Sequence, residues 1–82
     1  MYQVYALHSP SCEKIYIGYS SNLNERLLSH NFLPTKGYTV KYRPWKLVYS
    51  EPLDSKKQAM IREKELKSAQ GRAFIWNIIK NG

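Results

Sequence analysis

The chain predicts an α+β fold: a three-stranded antiparallel sheet with flanking helices, in the order ββαβαα. Three observations carry that prediction. Two short runs rich in aromatic and aliphatic residues lie near the N-terminus, separated by turn residues. Three later segments carry a helix cap or a 3.6-residue apolar period. There is no internal repeat, low-complexity tract or linker, so the 82 residues read as one domain, 1–82.

Tyr2-Gln3-Val4-Tyr5-Ala6-Leu7 is the first strand. His8 to Glu13 holds turn residues and reads as a loop, and Lys14 to Tyr19 is the second strand. A hairpin centred between Pro10 and Ser11 sets Tyr5 directly opposite Tyr16. A one-residue slip would turn one of these tyrosines to the other face. Asn22, followed three residues later by Glu25, starts a helix in the manner of a capping box, and that helix runs to about Asn31 or Phe32. Leu23, Arg26, Leu27 and His30 fall on one stripe, so Arg26 and His30 flank the apolar face. Leu33 to Pro44 has no clear period and reads as a basic, aromatic loop around a short strand at most. Trp45 to Ser50 is the third strand, ended by Pro52 and Asp54. Ser55 caps a second helix through about Ser68, and Gly71 breaks the chain. Arg72 to Lys80 forms a third helix, with Phe74, Ile75, Ile78 and Ile79 as its apolar side.

Composition narrows the function classes. A lone cysteine, Cys12, excludes an internal disulfide and a Cys-rich zinc site, and suits a reducing cytoplasm. No apolar run approaches a membrane span, and no signal-peptide h-region opens the chain, so a soluble, cytoplasmic protein without membrane contact is expected. The charge is one-sided. Residues 1–35 balance Lys14 and Arg26 against Glu13 and Glu25, and residues 36–82 carry the whole net charge of +7. With a pI near 9.7, this is the footprint of a polyanion binder, or of a soluble surface that happens to be basic.

Phosphodiester hydrolysis needs an aligned water, stabilisation of the added negative charge at phosphorus, and a proton or metal for the leaving oxygen. Arg26 suits the second task, since guanidinium offers a planar fork of donors. Taken alone it reads rather as half of a surface ion pair with Glu25 or groups beside Asn22. His30 can act as base, acid or phosphate donor, or simply stabilise a helix C-terminus. Tyr5 and Tyr16 are a catalytic phenol pair or ordinary sheet aromatics. A phenol titrates near 10 when unperturbed, so a base role requires a nearby arginine or a metal-bound hydroxide. Tyr2, Tyr19, Tyr38, Tyr42 and Tyr49 read as core or binding aromatics. On a helical wheel Glu63 falls between Ala59 and Leu66, near Met60, on the face expected to be buried, whereas Glu65 faces outward. An inward carboxylate is costly unless it meets a cation or several donors. Mg²⁺ fits that role, because it accepts one or two protein carboxylates and keeps waters for substrate phosphate. A salt bridge to Arg26 or a lysine is the alternative.

Tyr5, Tyr16-Ile17-Gly18, Asn22-Leu23, Arg26-Leu27 and His30 together resemble the signature of the GIY-YIG nuclease superfamily. The first motif reads Gln3-Val4-Tyr5 here and keeps only its tyrosine; the second is intact. Trp45 to Glu51 and Glu63 to Lys67 look like the later motifs. The chain is most similar to small stand-alone bacterial proteins of this group, related to the N-terminal nuclease domain of the excinuclease incision component. The resemblance implies a metal-dependent endonuclease acting on DNA rather than RNA, in repair or recombination. It implies Tyr5 as general base, Tyr16 as the residue positioning that network, and Arg26 on the phosphate. It also implies His30 in proton transfer or phosphate binding, Glu63 holding Mg²⁺ or Mn²⁺, and Asn77 as the late asparagine of the site. Gly18 would let the backbone pack closely behind the tyrosines. Many relatives carry a separate DNA-binding domain, for which these 82 residues leave no room. Target selection then falls to Lys36, Lys41, Arg43, Lys67 and Arg72, to a protein partner, or to a homodimer. Phosphate contacts of that kind give salt-sensitive, weakly sequence-specific binding. Two other readings stay open: a catalytically inactive nucleic-acid-binding module on the same scaffold, and an adaptor whose basic surface meets an acidic protein.

Overall fold

The computed structural model describes residues 1–31 and 42–81. Its elements are β1 (Tyr2–Ser9), β2 (Lys14–Ser20), α1 (Leu23–Asn31), β3 (Lys46–Leu53), α2 (Lys56–Lys67) and α3 (Ala69–Asn81). This is the expected α+β order. The strands form one antiparallel sheet with β1 in the centre, between β2 and β3.

The central strand explains the layering. Val4 to Ser9 are all buried, because β1 is covered on both faces. Val4 and Ala6 point to one side, where Ala59, Leu66 and Ile75 of α2 and α3 complete the core. Tyr5 and Leu7 point to the other, where they pack with Trp45 and are flanked by Leu23 and Leu27 of α1. Strand alternation thus sends odd and even residues of β1 to two different sets of helices.

The hairpin departs from expectation in one useful way. Tyr5 pairs with Gly18, and Tyr16 pairs with Leu7, so the two tyrosines are diagonal neighbours rather than directly opposed. β1 continues through His8 and Ser9, which are 8% and 0% exposed, and His8 packs edge-on against Trp76 at 5.5 Å. The turn shrinks to Pro10–Glu13, with Glu13 in the left-handed region at φ 52°. The offset along β2 is two residues, so both phenols stay on one face.

Other boundaries shift for physical reasons. β3 runs through Pro52, which pairs with Gln3; an edge strand tolerates a residue without an N–H. Val48 is the extra residue of a bulge between the Ala6–Tyr49 and Leu7–Leu47 pairs. α3 starts at Ala69, so Gly71 lies inside a helix instead of ending one. A Cβ on Gly71 would sit 2.3 Å from the Glu65 carbonyl oxygen and from Leu66 Cα. Glycine is there because the α2–α3 elbow has no room for a side chain. Ser68 builds that elbow: its hydroxyl donates to Glu65 O and accepts from Gly71 N.

Caps follow the sequence closely. Asn22 Oδ1 accepts from Glu25 N at 3.1 Å, while Asn22 Nδ2 donates to Glu25 Oε2. Ser55 accepts from Gln58 N at 3.2 Å and opens α2. At the far end of α1, Asn31 grips both backbone groups of Trp45: its Nδ2 donates to Trp45 O at 3.0 Å, and its Oδ1 accepts from Trp45 N at 2.6 Å. On the other face, Arg62 Nε donates to Glu51 Oε1 at 3.0 Å and Tyr49 Oη donates to the same oxygen at 2.6 Å. That network ties α2 to β3. The Tyr49 hydroxyl first, and Arg62 second, hold the Glu51 carboxyl below the usual carboxylate range.

Candidate active site

Gly18 is where the site begins. A Cβ there would lie 2.9 Å from Tyr5 Oη, 3.1 Å from Tyr5 Cζ and 3.2 Å from Tyr16 Cε1. The bare backbone of β2 therefore leaves the space in which two phenol rings lie over the sheet. Their centroids are 6.4 Å apart with planes at 33°. Trp45 backs the pair, edge-on to Tyr16 at 6.2 Å, and Asn31 fixes the backbone that carries Trp45.

These rings line a cleft of about 400 Å³ along the β2 edge. β1 contributes Tyr2 and Tyr5, and β2 contributes Tyr16, Gly18 and Tyr19. Arg26 enters from α1, on the face that carries Tyr5. Glu63 and Lys56 enter from α2, which covers the opposite face. The cleft thus draws on both layers, meeting around an edge strand. Another cleft of about 430 Å³, near His8, Leu47 and Ile79, is mostly aliphatic and has no acid in its lining.

Glu63 sits as the helical wheel requires. Ala59 and Leu66 beside it are 0% and 1% exposed, whereas Met60 turns outward at 50%. The Glu63 side chain keeps 22% exposure, and its Oε2 lies 3.6 Å from Lys67 Nζ, one turn on. This carboxylate is shielded but in contact with the cleft.

The electrostatics agree with four groups sharing one space. Burial pushes the Tyr5 phenol up to about 12, and the neighbouring Tyr16 adds to the rise. Arg26 pulls it down and Glu63 raises it. At neutral pH Tyr5 therefore holds its proton, and any positive charge entering the cleft acts in the same direction as Arg26.

One carboxylate beside two phenols is a hard, oxygen-only donor set. It fits a hard divalent cation that accepts few protein ligands and keeps waters. Among the described residues no three His, Cys, Asp or Glu side chains cluster as a metal cage.

The other sequence candidates fall elsewhere. His30 is in the last turn of α1, and its side chain is outside what the structure describes. Lys36 and Lys41 lie outside the described residues. Arg43 is half-buried in the turn ahead of Trp45, away from the cleft lining. Asn77 is exposed on α3, accepts from Asn81 Nδ2 at 2.8 Å and does not line the cleft. Lys67 and Arg72 line a groove with Ile15, Tyr16 and Ile17 that adjoins the cleft through Tyr16. Sequence reasoning missed Lys56. The signal was present: Lys56 and Glu63 are seven residues apart, on one stripe of α2. Tyr2 and Tyr19, their rings 6.3 Å apart, also reach the cleft. No described helix is long and apolar enough to cross a membrane.

The geometry agrees with what the chain is similar to. The family model for the GIY-YIG catalytic domain matches residues 1–77. A UPF0213 protein of Staphylococcus haemolyticus is 43% identical over 54 residues, 66% of each chain. A UPF0213 protein of Natronomonas pharaonis is 42% identical over 65 residues, 79% of this chain and 75% of its own. The alignment thus spans just under two thirds of the staphylococcal protein. No solved structure matches the chain. A match of the catalytic-domain model over nearly all of the sequence, on a scaffold that gathers Tyr5, Tyr16, Arg26 and Glu63, places this chain in the GIY-YIG family, whose nucleases use divalent metals.

Proposed function

We propose that the chain is a cytoplasmic, Mg²⁺- or Mn²⁺-dependent endonuclease that hydrolyses phosphodiester bonds in DNA, acting as a single domain. The observation that carries this reading is the meeting of Tyr5, Tyr16, Arg26 and Glu63 in one cleft from four different elements.

In the proposed reaction Tyr5 first gives its own proton to solvent and acts as the phenolate: a water oxygen bonds to phosphorus as Tyr5 Oη takes the water proton, the bond to the leaving nucleoside oxygen breaks, and that oxygen takes a proton from solvent. Tyr5 needs its pKa drawn down from about 12 before it accepts that proton. Arg26 acts in that direction and places its guanidinium against the phosphate oxygens, where negative charge builds in the transition state. Tyr16 lies beside Tyr5 and orients it, itself held by Trp45. Glu63 is the residue that would hold the divalent ion, which when bound supplies positive charge to the phosphate and the leaving oxygen. In the proposal His30 assists proton transfer or phosphate binding, and Asn77, exposed on α3 and outside the cleft lining, is given no part in the chemical step.

The test is cleavage of a panel of nicked, branched, single-stranded and duplex DNA by purified protein, with Glu63→Gln and Arg26→Ala as controls. Either change should remove metal-dependent cleavage, by at least about 10²-fold for the loss of one transition-state donor. Both proteins should stay folded, since Glu63→Gln keeps the shape of a half-buried side chain and Arg26 is exposed. Full turnover by folded Glu63→Gln would remove the metal role. Tight binding without turnover in either metal would leave a binding module on the same scaffold.

A further inference from the structure

The two clefts along β2 share Tyr16 in their linings. One holds Lys67 and Arg72, and the active-site cleft holds Lys56, at the other end of α2. α2 therefore presents a cation at its first residue, Lys56, and another at its last, Lys67, with Glu63 between them. Lys56 and Arg72 are exposed, and the Lys67 side chain is 52% exposed. Among the described residues, the lining of these two clefts includes one acid, Glu63.

We infer that these ends form a phosphate track, in which one strand of nucleic acid runs along β2 and α2. One flanking phosphate rests on Lys56 and another, on the opposite side of the scissile bond, on Lys67 and Arg72. The inference rests on the nuclease reading and adds to it a footprint and a residue, Lys56, with a role in holding substrate.

Helix geometry sizes the footprint. The 12 residues of α2 separate Lys56 from Lys67 by about 16 Å along the axis, at 1.5 Å per residue. A strand lying along α2 therefore spans a few nucleotides between the two ends. Glu63 is nearer the Lys67 end, by about 6 Å against about 10 Å to Lys56. The contacts are therefore uneven, with the shorter arm on the Lys67 side of the cut.

The experiment is binding of the full-length protein to a short labelled duplex in chelator, where no cleavage occurs, measured by fluorescence anisotropy across a salt series. Each phosphate contact contributes about 0.9 to the slope of log K against log salt on a duplex. Lys56→Ala should lower the slope by about one, and the double change Lys67→Ala with Arg72→Ala by about two. Lys80→Ala, on the last turn of α3, should leave it unchanged. Duplexes carrying one neutral methylphosphonate at successive positions then locate the contacts. Lys56→Ala should erase the sensitivity on one side of the cleavage position only. Wild-type protein that binds salt-dependently, with an unchanged slope and an unchanged methylphosphonate profile in Lys56→Ala, would overturn the track and leave the nuclease reading standing. Wild-type protein that binds no nucleic acid would overturn both.

Discussion

Replacing Gly18 by alanine tests how tightly the site is built. The added Cβ would arrive 2.9 Å from Tyr5 Oη and 3.1 Å from Tyr5 Cζ. Comfortable contact between heavy atoms begins near 3.5 Å, so the phenol must move by about half an ångström. A flexible side-chain end would yield cheaply. Tyr5 cannot, because it is 2% exposed and packed with Leu7 and Trp45, and Tyr16 Cε1 closes the other side at 3.2 Å. Overpacking of this kind costs about 1–3 kcal/mol, and for a domain of this size that lowers Tm by about 5–20 °C. Misplacement by 1 Å costs about 10²-fold in rate, so half that distance should cost about tenfold in kcat. Gly71→Ala is the contrast. There the new Cβ meets backbone at 2.3 Å, so folding suffers more, while the cleft residues are untouched. The assay is kcat at saturating metal and Tm by circular dichroism for both variants. The packing argument fails if Gly18→Ala keeps wild-type kcat and Tm. It fails equally if Gly71→Ala is the variant that loses activity while remaining as stable as wild type.

Two further outcomes follow from the geometry. Asn31→Ala removes two hydrogen bonds to the Trp45 backbone and should cost about 1–3 kcal/mol, read from urea melts. Asn31→Asp keeps the acceptor but sets a carboxylate oxygen against the Trp45 carbonyl, so it should not restore the wild-type stability. Tyr5 gives a pH signature. Its folded pKa is raised above the ordinary value of 10.0, so its contribution to stability is intact below pH 10 and is lost as pH rises toward about 12. Comparing the alkaline fall in stability of the wild type with that of Tyr5→Phe isolates the effect. Identical alkaline limbs would show that the Tyr5 phenol is not desolvated as described.

What could be read from the sequence was whatever depended on local chemistry. Asn22 with Glu25 and Ser55 before Gln58 mark helix starts because the capping bonds lie within three residues. Glu63 could be placed on an inner face because Ala59 and Leu66 share its stripe. The hairpin offset was not legible, since His8 and Ser9 are turn formers by type but are held in β1 by burial and by Trp76, far along the chain. Gly71 misled for a similar reason. A glycine past an apolar period signals a helix end, yet here it answers to Glu65 and Leu66 across an elbow. Lys56 carried the seven-residue spacing to Glu63, but one lysine among 13 basic residues stands out only when the cleft is seen.

The location of the cleft on an edge strand follows from the covering of β1. Because the central strand is buried on both faces, neither face can hold a water-accessible site over it. Among the described residues β2 is an edge strand, and α1 and α2 pass it on opposite faces. A side chain from each helix can reach around that edge only where the strand itself is slim. Gly18 supplies that thin point, and Tyr5 projects across it from the strand behind. An exposed edge normally invites pairing with another strand. Here Arg26 from one side and Lys56 from the other place positive charge along it.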